Sequence, residues 1–171
     1  INKQKRSIID KIEKYKIQIN EFLKYAGYKY IIDIQEVNEE YKLRLQHSDI
    51  SFFVENGNQH LSYGEKNAFA LMLFMYDCLS KNPNLIILDD PISSFDKNKK
   101  FAIIDRLFKG KKSLKGKTVL MLTHDIDPII DMFKVLYGKI EPVPIAHFIK
   151  SRNGIIEEIP ILKDDLQTFA Q

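Results

Sequence analysis

A single cysteine in 171 residues rules out any disulfide within the chain. Cys78 lies in an apolar run, so a buried thiol in a reducing compartment is expected. No apolar stretch approaches the roughly 18 uninterrupted residues a bilayer requires, and nothing has the build of a secretory leader. A cytoplasmic protein with no membrane partner is the expectation. The net charge of +3 is too small to imply a nucleic-acid partner on its own. No Cys/His spacing suits zinc, and His47, His60 and His147 read as satisfied or solvated side chains. Internal repeats, low-complexity segments and flexible linkers are also missing. What remains is 44% apolar residues, over a length that suits one domain or one lobe of a larger one. The chain opens at Ile1 within a helical pattern already under way, so a segment of a longer polypeptide is expected.

Ile8, Ile12, Tyr15, Ile19, Phe22 and Ala26 alternate four and three steps apart among polar residues. This spacing suits a coiled-coil seam, and over about three heptads it suits an amphipathic surface helix as well. Gly27 is a natural stop. Runs at 30–35 and 41–46 predict an antiparallel hairpin, and 51–55 a short strand before a turn at Asn56-Gly57-Asn58. From Glu65 to about Ser80 the sequence is apolar on every side, which predicts a helix buried between layers and ended by Asn82-Pro83-Asn84. Leu85 to Leu88 predicts a central parallel strand buried on both faces, with Asp89 and Asp90 at its carboxyl end, where such sheets gather ligands. A loop at 91–96 leads to a helix at 97–109 with Phe101, Ile104 and Phe108 on one face. A second apolar strand, 118–123, ends at His124. Asp127 can cap the next helix, with Pro128 at its first position and Gly138 after its end. Arg152-Asn153-Gly154 predicts a hairpin turn between strands at 145–150 and 155–159, and the tail from Lys163 reads as one short helix.

Three stretches carry chemistry. Ser62 and Glu65 are spaced as a capping box, so a helix begins there; its N-terminus favours an anion, and Gly64 lets a phosphate approach the backbone. The plain alternative is a helix cap with no ligand. Asp89 and Asp90 are hard oxygen donors at a strand end, or simply polar residues where a strand reaches the surface. The stretch from Gly110 to Thr118 comes close to a P-loop, but it has five residues between the glycines instead of four and leads into a strand rather than a helix. It reads as a basic surface turn. Lysines 97, 99, 100, 109, 111, 112, 115 and 117 form either a basic patch or a solvated face, and without interleaved aromatics the solvated face fits better.

Taken in order, Leu61-Ser62-Tyr63-Gly64-Glu65-Lys66, the strand ending in Asp89-Asp90, Pro91-Ile92-Ser93-Ser94-Phe95-Asp96 and Thr123-His124 resemble the signature, Walker B, D-loop and switch histidine of ABC-type ATPases. The whole resembles the C-terminal lobe of coiled-coil, SMC- and RecF-like ATPases, closest to the branch found in anticodon-nuclease and anti-phage systems. The resemblance implies an α/β fold with parallel core strands, preceded by the end of a coiled-coil arm (1–27) and, within the lobe (28–171), by an antiparallel hairpin. It implies ATP and Mg²⁺ as ligands: Asp89 toward the metal through water, Asp90 toward the attacking water and His124 toward the γ-phosphate. Leu61, Ser62, Gly64, Glu65 and Lys66 would meet ATP held by a second head, and Ser93, Ser94 and Asp96 would lie between heads. The implied partners are an N-terminal lobe carrying the Walker A motif that this chain lacks, a second copy of the head, DNA or RNA, and an associated nuclease or effector. Two positions depart from the common pattern: Tyr63 stands where a small residue is usual, and Asp90 where glutamate is. A transporter nucleotide-binding domain and a silent dimerisation module are the competing readings.

Overall fold

The computed structural model describes residues 2–37, 40–47, 49, 53–54, 61–109, 111–136, 144–162 and 165. Helix α1 (Asn2–Tyr25) opens the chain. The heptad positions Ile12, Ile19, Phe22 and Ala26 are all buried, together with Ile9 and Leu23, whereas Ile8 is 51% exposed. This face packs on the helix and sheet that follow, so from Ile12 onward the seam belongs to the core of the domain itself. The helix ends as its glycine demands: Gly27 (φ 75°) donates to the Lys24 carbonyl and Tyr28 to that of Leu23, the paired bonds of a Schellman motif.

Strands β1 (Tyr30–Val37), β2 (Glu40–His47) and β3 (Phe53–Val54) form an antiparallel sheet in that order. Ile32 lies opposite Leu45, and both are buried toward α1. The Asn20 amide stitches the edge strand to α1, donating to the Ile32 carbonyl at 2.9 Å and accepting from its N–H at 2.8 Å. The expected Asn56-Gly57-Asn58 turn lies outside the described residues.

Helix α2 (Tyr63–Lys81) buries Ala68, Met72, Met75, Tyr76 and Cys78 on one face. Phe74 on the other face is 42% exposed, so α2 is covered on one side only by the described residues. Asn82 ends it in the left-handed conformation, φ 50°. Strand β4 (Ile86–Asp89), helix α3 (Lys97–Phe108) and β5 (Val119–Leu122) then make a parallel β-α-β unit, with Asp89 opposite Leu122. The expectation of a strand buried on both faces is corrected here. Ile86 and Leu88 point into the core, while Ile87, Leu120 and Leu122 are 46–55% exposed on a face no described residue covers. In α3, Ile104 and Phe108 are buried with Ala102, Ile103 and Leu107, but Phe101 faces solvent.

Helix α4 (Asp127–Leu136) begins one turn after β5. Asp127 lies inside its first turn, and it is the Asp125 carboxylate that accepts from the Asp127 N–H at 3.1 Å. Asp127 is thus the first helical residue and not the cap expected of it, and Pro128 is the second. Gly138 and the tail helix from Lys163 fall outside the described residues. Strands β6 (His147–Arg152) and β7 (Ile155–Pro160) form the predicted hairpin. It turns at Asn153 (φ 52°) and Gly154 (φ 78°), both left-handed. Its apolar residues Ile149, Ile155 and Ile156 are 61–71% exposed. None of the described helices is long and apolar enough to cross a membrane.

Candidate functional site

Two ends of the fold hold the residues singled out by the sequence. The first is the start of α2. Ser62 takes extended backbone (φ −60°, ψ 161°), and both bonds of the capping box are present: Glu65 N–H donates to Ser62 Oγ at 3.3 Å, and Ser62 N–H to Glu65 Oε2 at 2.8 Å. Leu61 is buried beneath the turn, while Ser62, Tyr63 and Lys66 are exposed. Gly64 is informative because nothing among the described residues requires it. A Cβ there would meet only the Phe95 ring, at an ordinary 3.8 Å, and its backbone is not left-handed. Glycine inside a helix costs about 1 kcal/mol relative to alanine. The free N–H groups of a helix start attract anions, and a backbone without a side chain leaves room beside them.

The second end is formed by the carboxyl termini of β4 and β5. Because these strands are parallel neighbours, Asp90 and His124 emerge side by side, with His124 Nδ1 and Asp90 Oδ2 3.0 Å apart. The Asp90 N–H donates to the Leu122 carbonyl at 2.8 Å, and Thr123 Oγ1 donates to Asp90 Oδ1 at 3.4 Å. Asp90 has φ 45°, a conformation sparsely used by non-glycine residues and commoner for Asp, and worth of order 1 kcal/mol of strain when forced. That turn delivers its carboxylate to the histidine. Asp89, one residue earlier, is exposed at the strand end.

The loop from Pro91 to Asp96 is pinned by two buried anchors, Ile92 and Phe95, which leaves Ser93 half-buried and Ser94 exposed. Ser94 Oγ accepts from Asn67 Nδ2 of α2 at 3.1 Å. Asp96 caps α3, accepting from Lys99 N–H at 3.0 Å while Lys99 Nζ pairs with its other oxygen at 3.1 Å. These bonds, the backbone one foremost, hold the Asp96 carboxyl below the usual carboxylate range. An open groove of about 390 Å³ joins Asp89, Asp90, Ser93 and Ser94 to Tyr63 and Asn67, and Ser62, Gly64, Glu65 and Lys66 are not part of its lining.

Asn67 escaped the sequence reading; the signal was a single amide inside an otherwise apolar helix. Asp125 and Lys100 escaped it too. Lys100 Nζ pairs with Asp125 Oδ2, joining α3 to the β5–α4 turn, and this partner holds the Asp125 carboxyl below its ordinary range. Asp125 N–H donates in turn to Thr123 Oγ1 at 3.1 Å, so the support behind His124 is a chain from α3 through Asp125 and Thr123. The basic turn at 111–117 is held to α3 by Leu114 N–H donating to the Leu107 carbonyl at 2.7 Å, with Ser113 and Leu114 buried. Gly110 lies outside the described residues.

Among the described residues no three His, Cys, Asp or Glu side chains converge to cage a metal. Exposed Asp89 on an open groove suits a cation that keeps most of its waters and takes one or two carboxylates, the habit of Mg²⁺.

Known proteins resemble this chain in sequence and in fold. A putative ABC transporter ATP-binding protein of Methanosarcina acetivorans is 30% identical over 73% of this chain, and the chain spans 35% of that protein's length. A solved structure concerning ATP-driven dimerisation and DNA-stimulated activation of SMC ATPases superposes with a TM-score of 0.66 at 12% identity, covering 97% of this chain and 94% of that one. An SMC head bound to the C-terminal winged-helix domain of ScpA superposes at 0.58, also at 12% identity, over 96% of this chain and 47% of its own. The fold is that of an SMC and ABC ATPase head. The family model that matches, over residues 2–136, is AAA_13, described as an AAA domain, and this chain belongs to that family.

Proposed function

We propose that this chain is the signature-bearing lobe of an ATP-hydrolysing head that acts as a dimer, in nucleic-acid maintenance or anti-phage defence. The observation that carries the reading is the meeting of His124 and Asp90 at the ends of adjacent parallel strands. There a carboxylate can orient or deprotonate a water, a task worth about 10²–10⁴-fold in rate, and an imidazole beside it can contact a phosphate. Asp89 would hold Mg²⁺ through water, and the ion would neutralise charge on the triphosphate. A role for Ser62 and Gly64 on ATP bound to the opposite head draws its support from the resemblance of their stretch to the ABC signature. The P-loop then comes from an N-terminal lobe of the same protein, and the exposed face of Ile87, Leu120 and Leu122 is suited to receive it. An arm leaves through α1, its coiled coil beginning before Ile12, where Ile8 stands exposed. DNA or RNA as partner draws support from the description of the SMC relative, in which DNA stimulates the ATPase; a nuclease or effector partner rests on the resemblance to defence ATPases.

The test is the mass of the complete protein, N-terminal lobe included, carrying Asp90→Asn. With ATP and Mg²⁺, light scattering should report a stable dimer. A variant that binds ATP yet stays monomeric sinks the sandwich reading. A second reading, the ATP-binding subunit of a transporter, is favoured by the name of the Methanosarcina relative. It requires a membrane subunit to stimulate turnover, whereas the first requires nucleic acid to do so.

A further inference from the structure

Lys100 sits where its own helix gains nothing from it. It lies in the first turn of α3 with Lys97 and Lys99, a turn that contains no acidic residue, and positive charge at a helix start opposes the helix dipole. Its side chain is also only 14% exposed, and an ammonium drawn out of water costs stability unless a carboxylate meets it. Asp125 meets it. The pair joins the start of α3, which Asp96 caps, to the turn between β5 and α4.

Asp125 is employed on that turn through three groups. Its Oδ2 takes the lysine, its Oδ1 accepts from the Asp127 N–H at 3.1 Å, and its own N–H donates to Thr123 Oγ1 at 3.1 Å. The residue between Thr123 and Asp125 is His124. Its side chain is 77% exposed, so packing does little to hold the ring, and its place 3.0 Å from Asp90 Oδ2 through Nδ1 depends on where the backbone on either side is fixed. Thr123 Oγ1 also lies 3.4 Å from Asp90 Oδ1, so one hydroxyl stands between the turn and the carboxylate.

Resting on the reading of Asp90 and His124 as the turnover site, we propose that Lys100 is a positioning residue for that site: its bond to Asp125 fixes the turn at 123–125 and so sets the His124 imidazole against the Asp90 carboxylate. It acts through Asp125 and not on the substrate. With the lysine charge removed, Asp125 keeps a half-buried carboxylate with one partner fewer, the turn relaxes toward solvent, and the imidazole loses its fixed partner. The alternative is a clip that holds α3 to the turn before α4 and nothing more. Such a clip would lower stability without disturbing the His124–Asp90 pair.

Lys100→Met in the complete protein is the test, because the aliphatic stem survives and the charge does not. The turnover number should fall about tenfold, the size expected for one lost bond between charged groups, with ATP affinity unchanged. Lys100→Arg should restore most of the turnover, and Lys100→Met placed on Asp125→Asn should add little further loss, since both remove the same bond. The second readout is one that a clip would not move: ¹⁵N spectra of histidine-labelled protein at about pH 8, where an ordinary imidazole is neutral. Wild type should show the His124 proton held on Nδ1, assigned by the loss of that signal in His124→Gln, and Lys100→Met should show it redistributed toward Nε2. Where Lys100→Met does not fold, Asp125→Asn, of the same shape as the native residue, is read in the same two ways. Turnover within twofold of wild type, a fall with the Nδ1 signal intact, or losses that multiply in the double variant each overturn the proposal. The parent reading fails separately: Asp90→Asn and His124→Gln variants that turn over like wild type sink it, whereas their inactivity beside an unimpaired Lys100→Met sinks only this link.

Discussion

Two helices in this head start almost alike and are finished differently. Ser62 and Asp96 cap α2 and α3 with nearly the same backbone, φ −60° and −67°, ψ 161° and 162°. Both helix starts carry the partial positive charge of aligned peptides. At α3 that charge is met inside the chain: Asp96 is an anion, Lys99 neutralises it, and the Phe95 ring closes the base. At α2 the capping atom is a neutral hydroxyl on a long 3.3 Å bond, the first-turn carboxylate of Glu65 is turned back onto the Ser62 N–H, the next residues are exposed Tyr63 and glycine, and Lys66 adds a positive charge one turn on. Both starts thus hold a carboxylate of their own; α2 turns its carboxylate back onto the Ser62 N–H and sets a glycine beside it, and the proposed anion from outside would use the N–H groups that remain.

The sharpest way to break this contrast is Ser62→Arg in the complete protein. It should lower turnover by about 10²-fold or more, as when a donor aimed at developing charge is removed, while single-head ATP binding survives. If binding is lost too, Ser62 acts on its own head's nucleotide or holds the fold, and the division between the two helix starts is misdrawn. Gly64→Ala comes next. An added methyl meets nothing closer than Phe95, so the protein should gain about 0.5–1 kcal/mol in a denaturant melt. Turnover should drop about tenfold in the same variant, because a methyl of ordinary contact radius holds a phosphate off the backbone. Stability and activity moving together would mean that the glycine is there for the chain's own packing. Asp96→Ala should do the opposite of Gly64→Ala, costing about 1 kcal/mol of stability as a lost cap, with single-head ATP affinity unchanged.

Much of this was legible in the sequence, and the reason is local. The capping box at Ser62 and Glu65, the left-handed turn at Asn153-Gly154 and the stop at Gly27 are each dictated by a few neighbouring residues, and the structure has all three. His124 reaching Asp90 was legible once the two strands were taken as neighbours, since parallel register sends both chain ends the same way. What escaped was non-local. Lys100, among eight lysines that read alike, is singled out only because α3 packs beside α4 and brings it to Asp125 in the turn before that helix. Phe101 and Ile87 read as core residues because hydrophobicity reports a need for cover without naming what supplies it, and no described residue supplies it.

The smallest expected effect separates the two caps by acid. The Asp96 carboxyl titrates below its unfolded value, so the stability it lends is complete above the unfolded range near pH 4 and is lost as pH falls through the lower folded value. Ser62 lends a bond that does not titrate. Asp96→Asn keeps a good cap without the charge. Urea melts from pH 7 down to pH 3 should therefore show wild type ahead of this variant by a few tenths of a kcal/mol at neutral pH, since an exposed carboxylate is screened, and level with it in acid. The difference must close on acidification because protonation turns the wild-type cap into a neutral one like its replacement. A gap that stays constant down to pH 3 would mean that the charge of Asp96 contributes nothing at this helix start, and the two caps would then differ in geometry alone.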